Sequence, residues 1–262
     1  MAIMMLQEQG KLNVQDKMCT YITGCPQAWK AITIHQLMTQ TSGIPDNSDA
    51  FNEKDITSSL PLEQMIADAK RNHPLLDSQP GETYNNNSMG YLWLGKIIES
   101  VSGQSYEAFL LKNFFDPLQM SKTGNDHNRA DLAIGYADQQ PVALGQNNMW
   151  VMFSASGLYS TVEDMYRWDQ ALYTEKIVPQ KVLDTVFTSY VQSERDGYGY
   201  GYGWYVSLDK PRIVKQPGHI NGFDATIRRY MDDKITIILL TNQEDSDNGS
   251  FANSIAEKLL GK

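Results

Sequence analysis

Tyr84-Asn85-Asn86-Asn87-Ser88-Met89-Gly90-Tyr91-Leu92-Trp93-Leu94-Gly95-Lys96-Ile97-Ile98-Glu99-Ser100-Val101-Ser102-Gly103 decides what kind of molecule this chain makes. Met89, Leu92, Trp93, Ile97, Ile98 and Val101 recur at helical spacing and trace one buried face, and Gly103 stands where a left-handed residue closes such a helix. Just ahead of it, Tyr84 and Asn86 set a phenol and a carboxamide beside the helix start.

Upstream, Thr33 is a predicted N-cap, and the helix it opens is expected to end at Gly43 and Pro45. Pro61 at the first helical position opens another helix that stops near His73-Pro74. Downstream, Ser105 caps a run ending at Phe115 before Pro117, and Ser160-Thr161-Val162-Glu163 has the form of a capping box opening a helix through Trp168. Val178 to Tyr190 also reads as helix. The period then changes. Tyr200 to Leu208, Phe223 to Met231 and Lys234 to Thr241 are rich in aromatic and β-branched residues and read as strands, the last two joined by a hairpin at Asp232-Asp233. Ser250 to Leu260 is an amphipathic closing helix. This order predicts a single α+β domain over 1–262, with a helical lobe at 30–190, a sheet lobe at 198–262 joined by the N-terminal helix, and a cleft between them.

A chain of 262 residues with 41% hydrophobic content can bury a substantial core. Its 22 basic and 31 acidic residues give a net charge of −9 with no basic stripe, which makes nucleic acid and anionic membranes poor partners. No apolar run approaches the ~18 residues of a membrane span, and no signal peptide is visible. Cys19 and Cys25, with Gly24 and Pro26 beside the second, allow either a small disulfide loop in an exported protein or two free thiols. Together with the four scattered histidines they supply too few ligands for a metal, and no cofactor is implied.

Several segments, taken in order, resemble one family. They are Thr39-Gln40-Thr41-Ser42-Gly43-Ile44-Pro45, the Tyr84 to Glu99 helix, Ser154 to Trp168, Gly199 to Trp204, and Gly218-His219-Ile220-Asn221-Gly222-Phe223. The set is similar to the serine β-lactamase-like and penicillin-binding-protein-like family, the group of class C β-lactamases, D-Ala-D-Ala carboxypeptidases and esterases. That resemblance implies the β-lactamase/transpeptidase fold and an extracytoplasmic location. It also implies a serine acylated by a β-lactam, a D-Ala-D-Ala peptide or a small ester and then released by water. It gives Tyr84 a part in proton transfer and aims the amide of Asn86 at the acyl side chain. His219, the second catalytic candidate and, with the absent lysine, a cationic neighbour that could favour the ionised form of the Tyr84 phenol, is placed on the strand bordering the cleft, where Ile220 and Asn221 replace the usual small pair and Gly222 follows. Asn221 and Gly222 are candidate substrate contacts, Gly222 by letting backbone approach.

The family's Ser-x-x-Lys is not where it belongs. Met1 to Leu12 has apolar residues at helical spacing, Gly10 at its C-terminal end and no N-cap, and it reads either as the second half of a helix or as a short helix held by tertiary contacts. The resemblance favours the former and puts the serine and lysine just ahead of Met1, together with N-terminal strands missing from this chain. The chain as given is then expected to be inactive alone. The alternative is a non-catalytic protein that uses the cleft to hold an acyl-peptide ligand. Missing strands would also leave Ile235 to Leu240 as a bare apolar edge, open to pairing in a homodimer.

Lys122-Thr123-Gly124, Ser207-Leu208-Asp209-Lys210 and Ser246-Asp247-Asn248 imitate catalytic motifs in scrambled order. A working Ser-x-x-Lys needs one helical turn to bring the lysine back beside the serine, whereas Ser207 sits at a strand end running into Pro211. All three are read as accidents of composition.

Overall fold

The structure, a computed structural model, describes residues 1–46, 62–126, 130–142, 153–220 and 222–261. Among these, the chain opens with helix α1 (Ala2–Glu8), which buries Ile3, Met4 and Leu6. Helix α2 (Ile34–Met38) begins at a full capping box in which the Thr33 hydroxyl and the Gln36 side chain each satisfy the other's backbone N–H. It ends five residues earlier than Gly43 suggests. Gln40 takes a positive φ of 60°, and the Thr39 hydroxyl turns back to donate to the His35 carbonyl at 2.9 Å. Helix α3 (Leu62–Asn72) follows; its expected opening at Pro61 lies outside the described residues.

Helix α4 (Ser88–Ser102) is the central strut. Asn87 caps it, Gly103 closes it at φ 69°, and its buried face carries Met89, Leu92, Trp93, Ile97 and Ile98 as expected. Trp93 meets Trp29 edge-on, with ring centroids 5.3 Å apart. Ser105 caps helix α5 (Tyr106–Leu110), which runs on into a wider π turn through Phe115. A two-stranded hairpin, β1 (Gly135–Ala137) and β2 (Gln140–Val142), precedes α6 (Val162–Ala171). The cap of α6 is Thr161, which accepts from the Asp164 N–H, so the N-cap sits one residue later than the sequence suggests and the expected Ser160–Glu163 box is replaced by this single bond. Helix α7 is confined to Gln180–Val186. The chain then turns at Phe187 and pairs, and Val191–Gln192 forms β3.

The main sheet is antiparallel throughout in the order β3-β4-β5-β6-β7-β8. Its later members are β4 (Tyr198–Tyr200), β5 (Tyr205–Ser207), β6 (Ile213–Ile220), β7 (Phe223–Tyr230) and β8 (Ile235–Thr241). The predicted Tyr200 to Leu208 strand is thus two short strands broken by a tight turn at Gly201 to Trp204, with Gly203 at φ 84°. Strand β6 pairs along its whole length with β7 but with β5 at only two rungs, Tyr205↔Lys215 and Val206↔Val214. Among the described residues, one side of β6 beyond Lys215 is therefore an edge, where Pro217 is tolerated.

One face of the sheet buries Val206, Val214 and Ile227 in the large core shared with the helices. The other face carries a small second core of Tyr230 and Ile237 under Ala252 and Ala256 of α8 (Asn248–Leu260). Arg229 on β7 is fully buried and bonds Asp169 of α6 at 2.6 Å, locking helix to sheet. Cys19 and Cys25 are joined as a disulfide. No described helix is long and apolar enough to cross a membrane.

Candidate active site

Tyr84 reaches its position through backbone geometry set by Gln40. The Gln40 carbonyl accepts from the Asn85 N–H at 2.8 Å, its Oε1 accepts from the Asn87 N–H at 3.2 Å, and its Nε2 donates to Asn86 Oδ1 at 3.4 Å. One buried amide thereby fixes the loop and orients the exposed carboxamide of Asn86. The Tyr84 hydroxyl lies 3.2 Å from that of Tyr205, which donates to Glu194 Oε1 at 2.7 Å. The ring of Tyr84 packs 5.3 Å from Tyr200. Burial first, then the bond to Tyr205 and the neighbouring Tyr200 and Glu194, push the Tyr84 phenol far above its ordinary range. It is a neutral proton donor here. Arg195, over the Tyr205 ring, is a cation beside this cluster, but burial and the phenol and carboxylate neighbours outweigh it and hold the Tyr84 phenol in its neutral form.

His219 sits near the far end of β6, four residues and roughly 13 Å of strand beyond the rung where Tyr205 pairs. Its half-exposed ring has Nε2 3.6 Å from Glu244 Oε1. Glu244 also accepts from the Gly222 N–H at 3.2 Å and donates its own N–H to the Tyr136 carbonyl at 2.8 Å. Asp224 is the cross-strand partner of His219. Burial raises its carboxyl while the Ala225 N–H and His219 pull it back down.

His219 lines a cavity of about 800 Å³, in the size range of small-molecule sites, with Pro217 and Gly218 on one wall and the Ser154 to Thr161 segment on the other. A second, more apolar cavity of about 530 Å³ shares Ser154, Gln216, Pro217 and Gly218 with it. Tyr84 and Asn86 line neither. The two groups instead stand toward opposite ends of the open edge of β6. Asn221 lies outside the described residues. Gly222, at φ 80°, owes its lack of a side chain to β1: a Cβ there would come within 3.0 Å of Gly135 Cα.

The imitation motifs have structural roles. The Lys122 N–H and Thr123 hydroxyl both donate to buried Asp164, at 2.7 and 3.0 Å. Ser207 is spent between the Pro211 carbonyl and the Ile213 N–H. Ser246 bonds the Gln243 carbonyl, and Asp247 caps α8. Sequence reasoning missed Gln40, Glu194, Tyr205 and Glu244. The recurrence of tyrosine at 198, 200, 202 and 205 was the available signal for one of them.

The beta-lactamase family profile matches residues 1–261. This chain belongs to the beta-lactamase family. It is 29% identical to penicillin-binding protein 4* of Bacillus subtilis over 99% of its own length and 62% of that protein's. It is 28% identical to protein flp of Staphylococcus aureus over 99% of this chain and 52% of that one. The chain thus spans less than two thirds of these relatives. Among solved structures, the octameric penicillin-binding protein homologue from Pyrococcus abyssi superposes with a TM-score of 0.88 at 28% identity, covering 100% of this chain and 63% of the other. Family membership fits the α+β architecture described above, and the likeness to penicillin-binding proteins runs along the whole chain.

Proposed function

We propose that this domain provides the substrate-holding and proton-handling part of a serine acyl hydrolase of the β-lactamase, D-Ala-D-Ala carboxypeptidase and esterase group. The observation that carries this reading is the open side of β6. Among the described residues, Gln216 to Ile220 has no strand on the β5 side, and this segment carries His219 and leads away from the rung at which Tyr205, the partner of Tyr84, pairs. A peptide-like acyl substrate can add there as a short strand, its main-chain groups satisfied by β6. The neutral Tyr84 phenol is suited to donating a hydrogen bond to a leaving group or relaying a proton. Glu244 holds His219 at the other end. Asn86, held by Gln40, offers a carboxamide to an acyl side chain.

These 262 residues present no Ser-x-x-Lys on a helix turn, since Ser207 is in a strand. Loss of the nucleophile in a hydrolase of this type costs on the order of 10⁶ in kcat. Incubation of this chain with a labelled penicillin, followed by intact-mass spectrometry, is therefore expected to give no covalent adduct. An N-acylated D-Ala-D-Ala peptide is expected to bind saturably and to shift the backbone NMR signals of Gln216, Gly218 and His219. An adduct on any serine would overturn the assignment of chemistry. Absence of saturable binding by the peptide, by ampicillin and by a small ester would overturn the reading of the cleft.

A further inference from the structure

On the α8 face of the sheet, the register aligns Tyr205, Lys215 and Arg228 in one row across β5, β6 and β7. Like charges directly opposite each other on neighbouring strands are destabilising, yet Lys215 and Arg228 are such a pair. Arg228 is only 7% exposed. Its guanidinium donates to two uncharged acceptors, Asn253 Oδ1 and the Gly249 carbonyl, and its Nε is buried without a partner. The Lys215 ammonium stands 3.5 Å from the centre of the Tyr198 ring, and a third cation, Arg195, lies 4.7 Å over Tyr205. Burial, then the charges of Arg228 and Arg195, lower the Lys215 pKa to about 8. Among the described residues no carboxylate pairs with Lys215 or Arg228. Glu194 is 3.7 Å from Arg195 and already accepts from Tyr205.

Two facing cations without a carboxylate, Lys215 and Arg228, beside a third whose only carboxylate is the shared Glu194, in a chain of net charge −9, make an arrangement that an anion would relieve. We propose that Lys215, Arg195 and Arg228 form an oxyanion site on the outer face of the sheet, taking the carboxylate or phosphate group of a small ligand. Lys215 supplies a point charge framed by the Tyr198 ring. Arg195 supplies a planar fork that can be bidentate, and Arg228 supplies buried positive potential from behind. The site borders the Tyr84 cluster through Tyr205 and Glu194, but its anion contacts use neither the β6 edge nor His219, so it can fail or hold separately from the acyl-hydrolase reading.

Amine acetylation footprinting of the intact protein, read by peptide mass spectrometry, tests this with inorganic phosphate and with acetate as probes and sodium chloride at matched ionic strength as control. At a probe concentration several times its Kd, labelling of Lys215 is expected to fall about fivefold, while exposed Lys30 is unchanged. Protection by phosphate alone or by acetate alone assigns the chemistry. Arg195→Gln, at an exposed position, should abolish the protection. Equal protection by chloride, or protection that survives in Arg195→Gln, would overturn the site. If that variant fails to fold, calorimetric titration of the unaltered protein decides: no saturable heat with either probe rules the site out.

Discussion

Tyr84, Tyr91, Tyr200, Tyr202 and Tyr205 all have phenols raised above their ordinary value, in each case chiefly by burial. A raised folded pKa means that the unfolded chain releases these protons first as pH climbs past about 10. The stability they carry is therefore whole below that pH and is lost above it. Tyrosinate absorbance and far-UV circular dichroism should change together in an alkaline titration; ionisation of all the tyrosines with the helical signal intact would contradict this. Lys215 works in the opposite sense, its lowered pKa adding stability as pH rises from about 8 toward its unfolded value. Asp169 is the second decisive residue. Its Oδ1 accepts from Arg229 at 2.6 Å and from the Thr236 hydroxyl at 2.8 Å, beneath a guanidinium packed 4.5 Å from the Tyr173 ring. Asp169→Ala leaves a fully buried cation unpaired and should cost about 3–5 kcal/mol in urea unfolding; a loss below 1 kcal/mol would mean that water reaches Arg229.

Among the elements, the loop closed by Cys19 and Cys25 is pinned to α3 through Lys70, whose Nζ donates to the Thr23 carbonyl at 2.5 Å. Closing so short a loop restricts the unfolded chain by about 2 kcal/mol. The melting temperature should fall on reduction, and the paired Cys19→Ala and Cys25→Ala variant should lose its response to reductant. Elements with local chemical signals were legible in the sequence. The Thr33 cap, the apolar face and Gly103 stop of α4, the Ser105 cap and the β7–β8 hairpin each follow from residues within a few positions. Others were not legible. Nothing local announces that Gln40 adopts a positive φ and ends α2 early, because its conformation is fixed by Asn85, Asn86 and Asn87, more than forty positions away. The full extent of β6 was hidden because Lys215-Gln216-Pro217-Gly218 lacks alternation, and its partner β7 supplies the order. Tyr84 and His219 could be singled out by motif, but Tyr205, Glu194 and Glu244 act through contacts that only the folded sheet creates.

At the level of the whole molecule, β8 closes one side of the main sheet, and among the described residues β7 is its only strand partner. Ile235 to Thr241 has no charge and no proline, and Leu240 is 40% exposed. Such an edge invites pairing with a second copy. Leu240→Lys should lower self-association in light scattering while leaving the circular dichroism unchanged; identical association in the variant would assign it to another surface.

The division of the interior into two unequal cores has a kinetic meaning. The helical lobe and the inner face of the sheet share one continuous apolar mass, whereas α8 rests on a cluster whose buried members are Tyr230, Ile237, Ala252 and Ala256. Regions with few buried apolar contacts open at lower free energy than the global transition. The native protein should therefore breathe at its C-terminal end, and a protease offered the folded chain should nick between Asn242 and Asn248 long before it touches α4. Each such opening also withdraws Asn253 and the Gly249 carbonyl from Arg228, so an anion that binds only while α8 holds Arg228 in place should slow the digestion.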